Sequence, residues 1–249
     1  MLNESGLRRA VDAADLTAPV RWDDVTTSTN DVAWAMAADG TPAWTVVAAG
    51  HQTQGHGRLD RRWEDRSGQA LLCSVVLRPD IDPERLGLIP LAVGVAMAGS
   101  ASEIAGVRVR CKWPNDLTVD GRKVGGILAR ADVRDVRVRH VVVGVGVNLA
   151  EPAGVPGAAG LGAVDAEALL TRFLRHLRPL LERDAESIVG EWVRVSDTIG
   201  RRVEATTVEG DVVRGVAADV DHDGALLVDT DAGRVRVTSG DVEHLRAAP

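Results

Sequence analysis

The chain changes character near residue 195, and this change constrains its fold more than any other feature of the sequence. Before it, short apolar runs typical of strands alternate with helical patterns, including an apolar helix predicted over 83–104 and an amphipathic one over 165–190. After it, Val-rich runs are separated by Gly and Asp turns, which is the pattern of a small antiparallel barrel. We therefore predict two domains, residues 1–194 and 195–249.

Composition and charge exclude several classes of protein. The 249 residues carry 29 Lys and Arg against 36 Asp and Glu, for a net charge of −7, whereas proteins that coat DNA or anionic membranes need a basic face. The two cysteines, Cys73 and Cys111, lack the spacing of a zinc site or a disulfide framework. The first twenty residues lack the apolar core of a signal peptide, and the apolar stretch 86–101 is shorter than the roughly 20 residues that cross a bilayer. We expect a cytoplasmic protein with neither a DNA nor a membrane partner.

Lysine occurs at only two positions, Lys112 and Lys123, although the chain has 29 basic residues. A compact ammonium group is not interchangeable with a planar guanidinium, so both lysines are candidates for function. Lys123 begins a predicted strand and is followed by a Gly pair, so its ammonium can lie over an anion held against bare backbone. The alternative for Lys112 is an ordinary ion pair with Asp116, in a segment that forms a turn.

A long loop rich in Gly, Arg and His is predicted over residues 51–66. Its backbone N–H groups and guanidinium groups suit phosphate or carboxylate oxygens, and the indole of Trp63 suits a purine ring. It is not a dinucleotide-binding fingerprint, because Asp60 stands where the third Gly is required. The alternative interpretation is a solvated basic loop without a ligand.

Five motifs, taken together, resemble those of the biotin protein ligases. They are Ser28-Thr29-Asn30, the loop from Gln52 through Gly55, Gly57, Arg58 and Arg61 to Trp63, Lys112-Trp113-Pro114-Asn115-Asp116, Lys123-Val124-Gly125-Gly126-Ile127-Leu128 and Gly144-Val145-Gly146-Val147-Asn148. The resemblance implies an α+β fold: a mixed, mostly antiparallel sheet flanked by helices, as in class II synthetases and biotin–lipoate ligases, and a small C-terminal SH3-like β-barrel.

The same resemblance implies a two-step reaction. Biotin and ATP, with Mg²⁺, would give biotinyl-5′-AMP and pyrophosphate, and the biotinyl group would then pass to a lysine of an acceptor. The expected acceptor is the biotin carboxyl carrier domain of an acetyl-CoA, acyl-CoA or pyruvate carboxylase. Cationic groups that screen the two reacting anions and stabilise the pentavalent phosphorus fit this chemistry.

Each residue that matches a family motif inherits an expected role from the resemblance. Lys123 and Arg58 are expected to be catalytic. The expected biotin-binding residues are Ser28, Thr29, Asn30, Gln52, His56, Gly57, Arg58, Lys123, Gly125 and Gly126. The residues expected to bind ATP or the adenylate are Arg58, Arg61, Trp63, Lys112, Asn115, Asp116, Lys123 and Asn148, and Asp116 is also expected to contact the metal.

The sequence departs from the family pattern at position 56, where His replaces the usual Arg, so a fixed charge becomes a group that titrates near neutrality. Only about twenty residues precede the matching region, too few for a three-helix DNA-binding unit. We predict the short form of the ligase, without repressor activity, as a monomer or weak homodimer. Two other functions are open: a lipoate or octanoate ligase, which shares the fold, and a binding module without catalysis.

Overall fold

The computed structural model describes residues 2–59 and 61–245. Its helices are α1 (Glu4–Ala13), α2 (Thr29–Ala38), α3 (Leu88–Ala105, preceded by a 3₁₀ turn at Pro83–Gly87), α4 (Ala166–Leu181) and α5 (Ala185–Val195). The strands before α4 are β1 (Val20–Asp23), β2 (Val46–Ala49), β3 (Gly55–His56), β4 (Arg62–Trp63), β5 (Ala70–Leu77), β6 (Val109–Lys112), β7 (Asp116–Val119), β8 (Arg122–Arg134) and β9 (Arg137–Asn148). The strands after α5 are β10 (Arg202–Thr207), β11 (Val212–Val220), β12 (Leu226–Thr230), β13 (Gly233–Val237) and β14 (Gly240–His244).

Seven strands form one sheet in the order β1-β2-β5-β9-β8-β7-β6. Only β1 and β2 are parallel, and all other neighbours are antiparallel. One face packs into the main core with α1, α3, α4 and α5, while α2 covers the opposite face through a small apolar cluster that includes Ala33, Val47 and Val142. This confirms the predicted mixed, mostly antiparallel sheet flanked by helices.

Two strands, one near the start of the chain and one in its middle, were not predicted. Residues 25–27 were expected to be extended, and Thr26 there makes an isolated bridge to Gln52, but the strand of this region is β1 at Val20–Asp23. Strand β7, which pairs with both β6 and β8, was not predicted, because the four residues 116–119 are too few to show a period of two.

The apolar segment predicted as a buried helix is α3. With its 3₁₀ turn, Pro83–Ala105, it is long and apolar enough to cross a membrane by length and composition. Its side chains pack inside this fold, where Leu91, Val93 and Met97 are buried in the main core. Both cysteines are buried in the same core, and burial raises the pKa of each thiol to about 12, so they serve packing rather than reactivity.

The single helix predicted over 165–190 is in fact two, α4 and α5. Asp165 accepts a hydrogen bond from the Glu167 amide at 3.0 Å and caps α4, and Asp184 accepts one from the Ser187 amide at 2.8 Å and caps α5. A capping carboxylate satisfies an amide that has no partner inside the helix. Asp184 therefore starts a new helix where the apolar periodicity alone continues.

Gly190 lies exposed within α5, and a Cβ built there meets no atom within 4 Å. We expect Gly190→Ala to raise the free energy of unfolding by about 0.8–1 kcal/mol, because glycine loses more backbone entropy than alanine in a helix. Urea denaturation of the two proteins, followed by circular dichroism, would measure the difference. A lower midpoint for the variant would contradict the prediction.

The C-terminal strands form a separate antiparallel sheet in the order β13-β12-β11-β10-β14. Within residues 2–59 and 61–245, β13 and β14 do not pair with each other, so the predicted barrel is not closed. Only Thr238 and Ser239 join these two edge strands, which limits their separation at the connection to roughly 11 Å and requires the sheet to curl. The predicted domains 1–194 and 195–249 stay a prediction.

Trp113 joins the two sheets. Its side chain is buried, its indole donates a hydrogen bond to the Gly224 carbonyl at 3.0 Å, and its amide donates to the Thr198 hydroxyl at 3.0 Å. A buried indole needs a partner for its single donor. The carbonyl of a C-terminal turn supplies it, so the C-terminal sheet is fixed against the end of β6.

His244 gives the interface between the sheets a dependence on pH. Burial, helped by the charges of Lys112 and Arg201, lowers the pKa of His244 to about 4, and Asp197 opposes this only in part. As the pH falls, the His244 side chain is therefore protonated in the unfolded chain before it is protonated in the folded protein. The stability contributed by neutral His244 is lost as the pH falls from about 6.5 towards 4. We expect His244→Gln to show a smaller loss of unfolding free energy than the unaltered protein between pH 7 and 5, measured by urea denaturation; equal losses would refute this.

Candidate functional site

A cavity of about 130 Å³ opens on the face of the large sheet that α2 covers. It brings together predicted residues that lie far apart in the sequence: Ser28, Thr29, Asn30, Gln52, His56, Gly57, Arg58, Arg61, Trp63, Asn115, Asp116, Lys123 and Gly126. They come from the start of α2, the loop 51–66, the turn before β7 and the strands β7 and β8. We call this cavity the central cavity.

Glycines in β8 and β9 form its floor. Gly144 and Gly146 lie two residues apart on one strand and so face the same side, and Gly126 pairs with Gly146 across the strands. A Cβ at Gly144 would lie 2.6 Å from Asn30 Nδ2, and one at Gly146 would lie 2.8 Å from the Trp63 ring. Only glycine leaves room for these side chains.

The start of α2 gives one end of the cavity a buried polar lining. Gln52 Oε1 accepts hydrogen bonds from the Thr29 amide at 2.7 Å and the Thr29 hydroxyl at 3.1 Å, and that hydroxyl also pairs with the Ser74 hydroxyl at 2.9 Å. An amide N–H can only donate, so the oxygen of Gln52 must face it. The Nε2–H groups are then the donors that Gln52 can offer a ligand.

The other end is cationic, and its charges are paired with carboxylates. Lys123 Nζ lies 2.5 Å from Asp116 Oδ1, and Arg61 pairs with Asp241 of β14. Nζ of Lys123 also lies 3.7 Å from a Cβ built at Gly126, which places it over the glycine floor. An anionic ligand in the cavity would compete with these carboxylates for the two cations.

Arg58 links the loop to the C-terminal sheet. It donates to the Gly240 carbonyl at 3.1 Å, to the Ser239 hydroxyl at 3.4 Å and to the Asn115 side-chain oxygen at 3.5 Å. Burial lowers the pKa of this guanidinium, while the carboxylates of Asp241 and Asp116 raise it. A partly desolvated guanidinium stays charged at neutral pH, and it holds an anion more strongly than an exposed one does.

Trp63 lies flat against the glycine floor, between the polar and the cationic ends. Ring atoms lie 2.8 Å from a Cβ built at Gly146 and 3.6 Å from one at Gly126. Its indole nitrogen is buried and, among the residues the structure describes, has no hydrogen-bond partner. The ring lines the central cavity, and its stacking on a purine stays a prediction.

His56, the residue that departs from the family pattern, contacts α2. Its Nε2 lies 2.9 Å from Asp31 Oδ2. Arg130 NH1 lies 3.9 Å from the other oxygen of Asp31, and the Arg130 guanidinium stacks on Trp34 at 3.8 Å. His56 thus joins the loop to α2 rather than standing as an isolated charge.

Three predicted residues do not line the central cavity. Lys112 lines a neighbouring cavity of about 360 Å³ between β6, the loop and the C-terminal sheet, and the ion pair with Asp116 belongs to Lys123 instead. A Cβ at Gly125 would meet Leu117 and Val147, so Gly125 faces the core. Asn148 lines a separate cavity of about 150 Å³ beside residues 64–70 and donates to the Ala159 carbonyl at 3.2 Å. The ligand roles of these three residues stay predictions.

Sequence reasoning missed Asp241, Gly144 and Gly146 as lining residues. The alternation of Gly144 and Gly146 along a buried strand was a usable signal, because glycines two apart open one face. Nothing local marks Asp241, which comes from β14 and enters the site only through the packing of the two sheets.

Comparison with known proteins agrees with this geometry. The model of the biotin/lipoate A/B protein ligase family matches residues 22–148, and that of the biotin protein ligase C terminal domain matches residues 198–245. The chain belongs to the biotin/lipoate A/B protein ligase family. This confirms the family inferred from the five motifs and makes the chain an enzyme of the ligase class.

Named relatives extend the likeness over most of the chain. The biotin–[acetyl-CoA-carboxylase] ligase of Mycobacterium tuberculosis is 36% identical over 236 residues, covering 89% of this chain and 87% of the relative. The bifunctional ligase/repressor BirA of Bacillus subtilis is 30% identical over 257 residues, covering 97% and 79%. Among solved structures, the biotin protein ligase from Aquifex aeolicus in complex with biotin and ATP has a TM-score of 0.75 at 23% identity, covering 92% of this chain and 99% of that one; at that identity it supports the fold alone.

Proposed function

We propose that this enzyme joins biotin to ATP as biotinyl-5′-AMP and transfers the biotinyl group to a lysine of a biotin carboxyl carrier domain. The observation that carries the proposal is the arrangement of the central cavity, with polar donors at one end and cations at the other. Asn30 lies over Gly144 and Lys123 over Gly126, which pairs with Gly146. Two residues along a strand span about 7 Å, a distance that suits a cyclic urea at one end and an anion at the other.

In the first step, an oxygen of the biotin carboxylate would attack the α-phosphorus of ATP, and the bond to the β-phosphate would break to release pyrophosphate. Both reactants are anionic, so their repulsion must be screened. Lys123 and Arg58 supply fixed positive charge where the phosphorus gains an extra oxygen. Asp116 and Asp241 would give up their cations to the ligand and take them back after release.

In the second step, the acceptor lysine, as a neutral amine, would attack the acyl carbon of the adenylate. The bond to AMP would break, an amide would form, and the amine would lose its proton. Arg58 and Lys123 would stabilise the negative charge on the departing phosphate. The carboxylase that carries the acceptor is proposed to be an acetyl-CoA, acyl-CoA or pyruvate carboxylase.

Magnesium is proposed to enter with ATP as part of the substrate. Mg²⁺ is commonly held by substrate phosphates and one or two carboxylates, and Asp116 is the carboxylate proposed for this contact. Within residues 2–59 and 61–245, no group of three or more His, Cys, Asp or Glu side chains could hold a metal by itself.

The decisive experiment is the exchange of labelled pyrophosphate into ATP with Mg²⁺, in the presence of biotin, lipoate, octanoate or no acid. We expect exchange only with biotin. Exchange that requires lipoate or octanoate would assign the sister activity, and no exchange with any acid would favour a binding module. Transfer of labelled biotin to a purified carrier domain then tests the second step.

The remaining expectations are proposals with their own tests. Cytoplasmic location is supported by the need for ATP and by two free, buried cysteines. The oligomeric state is proposed to be a monomer or weak homodimer. Light scattering with and without biotin and ATP would measure it. The absence of repressor activity is proposed on the net charge of −7, and a mobility-shift assay with biotin-operon promoter DNA would test it.

A further inference from the structure

A buried carboxylate at the base of the loop has no part in the chemistry described so far. The side chain of Asp65 has 0% exposure. Its Oδ2 lies 2.8 Å from His51 Nδ1, and its Oδ1 accepts a hydrogen bond from the Gln52 amide at 3.3 Å. Burying a carboxylate is costly unless partners compensate it, so these contacts fix its position closely.

The contacts of Asp65 join the two ends of the loop. His51 and Gln52 begin the segment 51–66, and Asp65 lies near its end. The amide of Gly68 also donates to the Gly50 carbonyl at 3.2 Å, which brings the flanking backbone together. Asp65 thus closes the loop at its base, while the residues that line the central cavity lie on the part between.

Gln52 connects Asp65 to the central cavity. The backbone of Gln52 is held by Asp65, and its side-chain oxygen is held by Thr29 at 2.7 Å. With both ends of Gln52 fixed, its Nε2–H groups keep one direction. A Cβ at Gly55 would lie 3.1 Å from that nitrogen, so the loop also leaves it little freedom.

We propose that Asp65 is a positioning residue that aligns Gln52 with the carbonyl oxygen of a neutral cyclic urea. This inference rests on the proposed function, since it assigns the polar end of the cavity to the urea ring of biotin. The side chain of Asp65 does not line the central cavity, and it reaches the polar end of that cavity through the Gln52 amide. Its effect is therefore on the binding of biotin and not on the binding of ATP.

The test compares the KM for biotin and the KM for ATP in pyrophosphate exchange, together with biotin binding measured by calorimetry. We expect Asp65→Ala to raise the KM and Kd for biotin at least about tenfold, and to change the KM for ATP less than about twofold, because a lost hydrogen bond costs about that much. Asp65→Asn should retain part of the affinity, because its amide oxygen can still accept from Gln52. Asp12→Ala, which removes an exposed carboxylate on α1, is the control and should change neither constant.

Two results would overturn the inference. One is an Asp65→Ala enzyme whose biotin constants match those of the unaltered protein. The other is an equal rise in both KM values, which indicates general loss of structure. If Asp65→Ala does not fold, Asp65→Asn and His51→Ala are judged by the same criteria. Failure of the unaltered protein to bind biotin would instead refute the proposed function, so the two failures are distinguishable.

Discussion

Lys123→Ala is expected to lower biotin-dependent pyrophosphate exchange by about 10²–10³-fold, because the lysine would act on charge that develops as the adenylate forms. The structure places Nζ over the glycine floor, 2.5 Å from Asp116 Oδ1. Removing it also leaves Asp116 without its cation next to the incoming phosphate. The expected loss is in kcat, measured as exchange at saturating biotin and ATP.

Two further variants test whether the effect depends on the kind of cation at residue 123 and on the location of the lysine that is removed. Lys123→Arg keeps a cation but replaces a compact ammonium with a planar group, so it should recover only part of the lost activity. Lys112→Ala removes the chain's other lysine, which lines a neighbouring cavity, and should lose much less than Lys123→Ala. Full exchange by Lys123→Ala, with unaltered circular dichroism, would remove Lys123 from the catalytic role.

Gly146→Ala is expected to raise the KM for biotin at least about tenfold while the protein stays folded. The added methyl would lie 2.8 Å from two ring atoms of Trp63, closer than nonbonded carbon atoms normally approach. The indole must then move off the floor, into the space of the cavity. Steady-state exchange with varied biotin measures the effect.

Gly190→Ala is the matched control for this variant. It makes the same chemical change in open space, far along the chain on α5, where no atom lies within 4 Å of the new Cβ. It should leave the KM for biotin and the KM for ATP unchanged. If Gly146→Ala also left them unchanged, Trp63 would have no role in ligand binding at the position described.

The sequence already contained most of the site, because its residues occur in short motifs whose chemistry is local. Ser28 stands at the N-cap position of a helix that starts at Thr29, a position that Ser commonly occupies. Lys123 is the second residue of β8, which starts at Arg122, and the Gly pair comes after Val124, as expected for a cation over bare backbone. Such features depend on neighbours a few residues away, so they can be predicted from the order of residue types alone.

Other features depend on which segments pack together. The periodicity of 165–190 gave no sign of the break that Asp184 creates, because a cap and a solvent-facing Asp look alike in sequence. Gly125 and Gly126 are adjacent, yet one faces the core and the other the cavity, a distinction fixed by the register of β8 against β9. Asn148 and Lys112 belong to matching motifs but line cavities other than the central one.

The sequence by itself determined the family and the cations available to an anionic ligand. It also determined that strands alternate with helices before residue 195 and that short Val-rich strands follow it. Each of these follows from local order and residue chemistry. The tertiary structure decided which carboxylate each cation meets. Lys123 faces Asp116 and Arg61 faces Asp241, which is 180 residues further along the chain. Electrostatic interactions depend on distance in space. The pairing of β7 with β8 brings Lys123 to Asp116, and the docking of the C-terminal sheet against the large sheet brings Arg61 to Asp241.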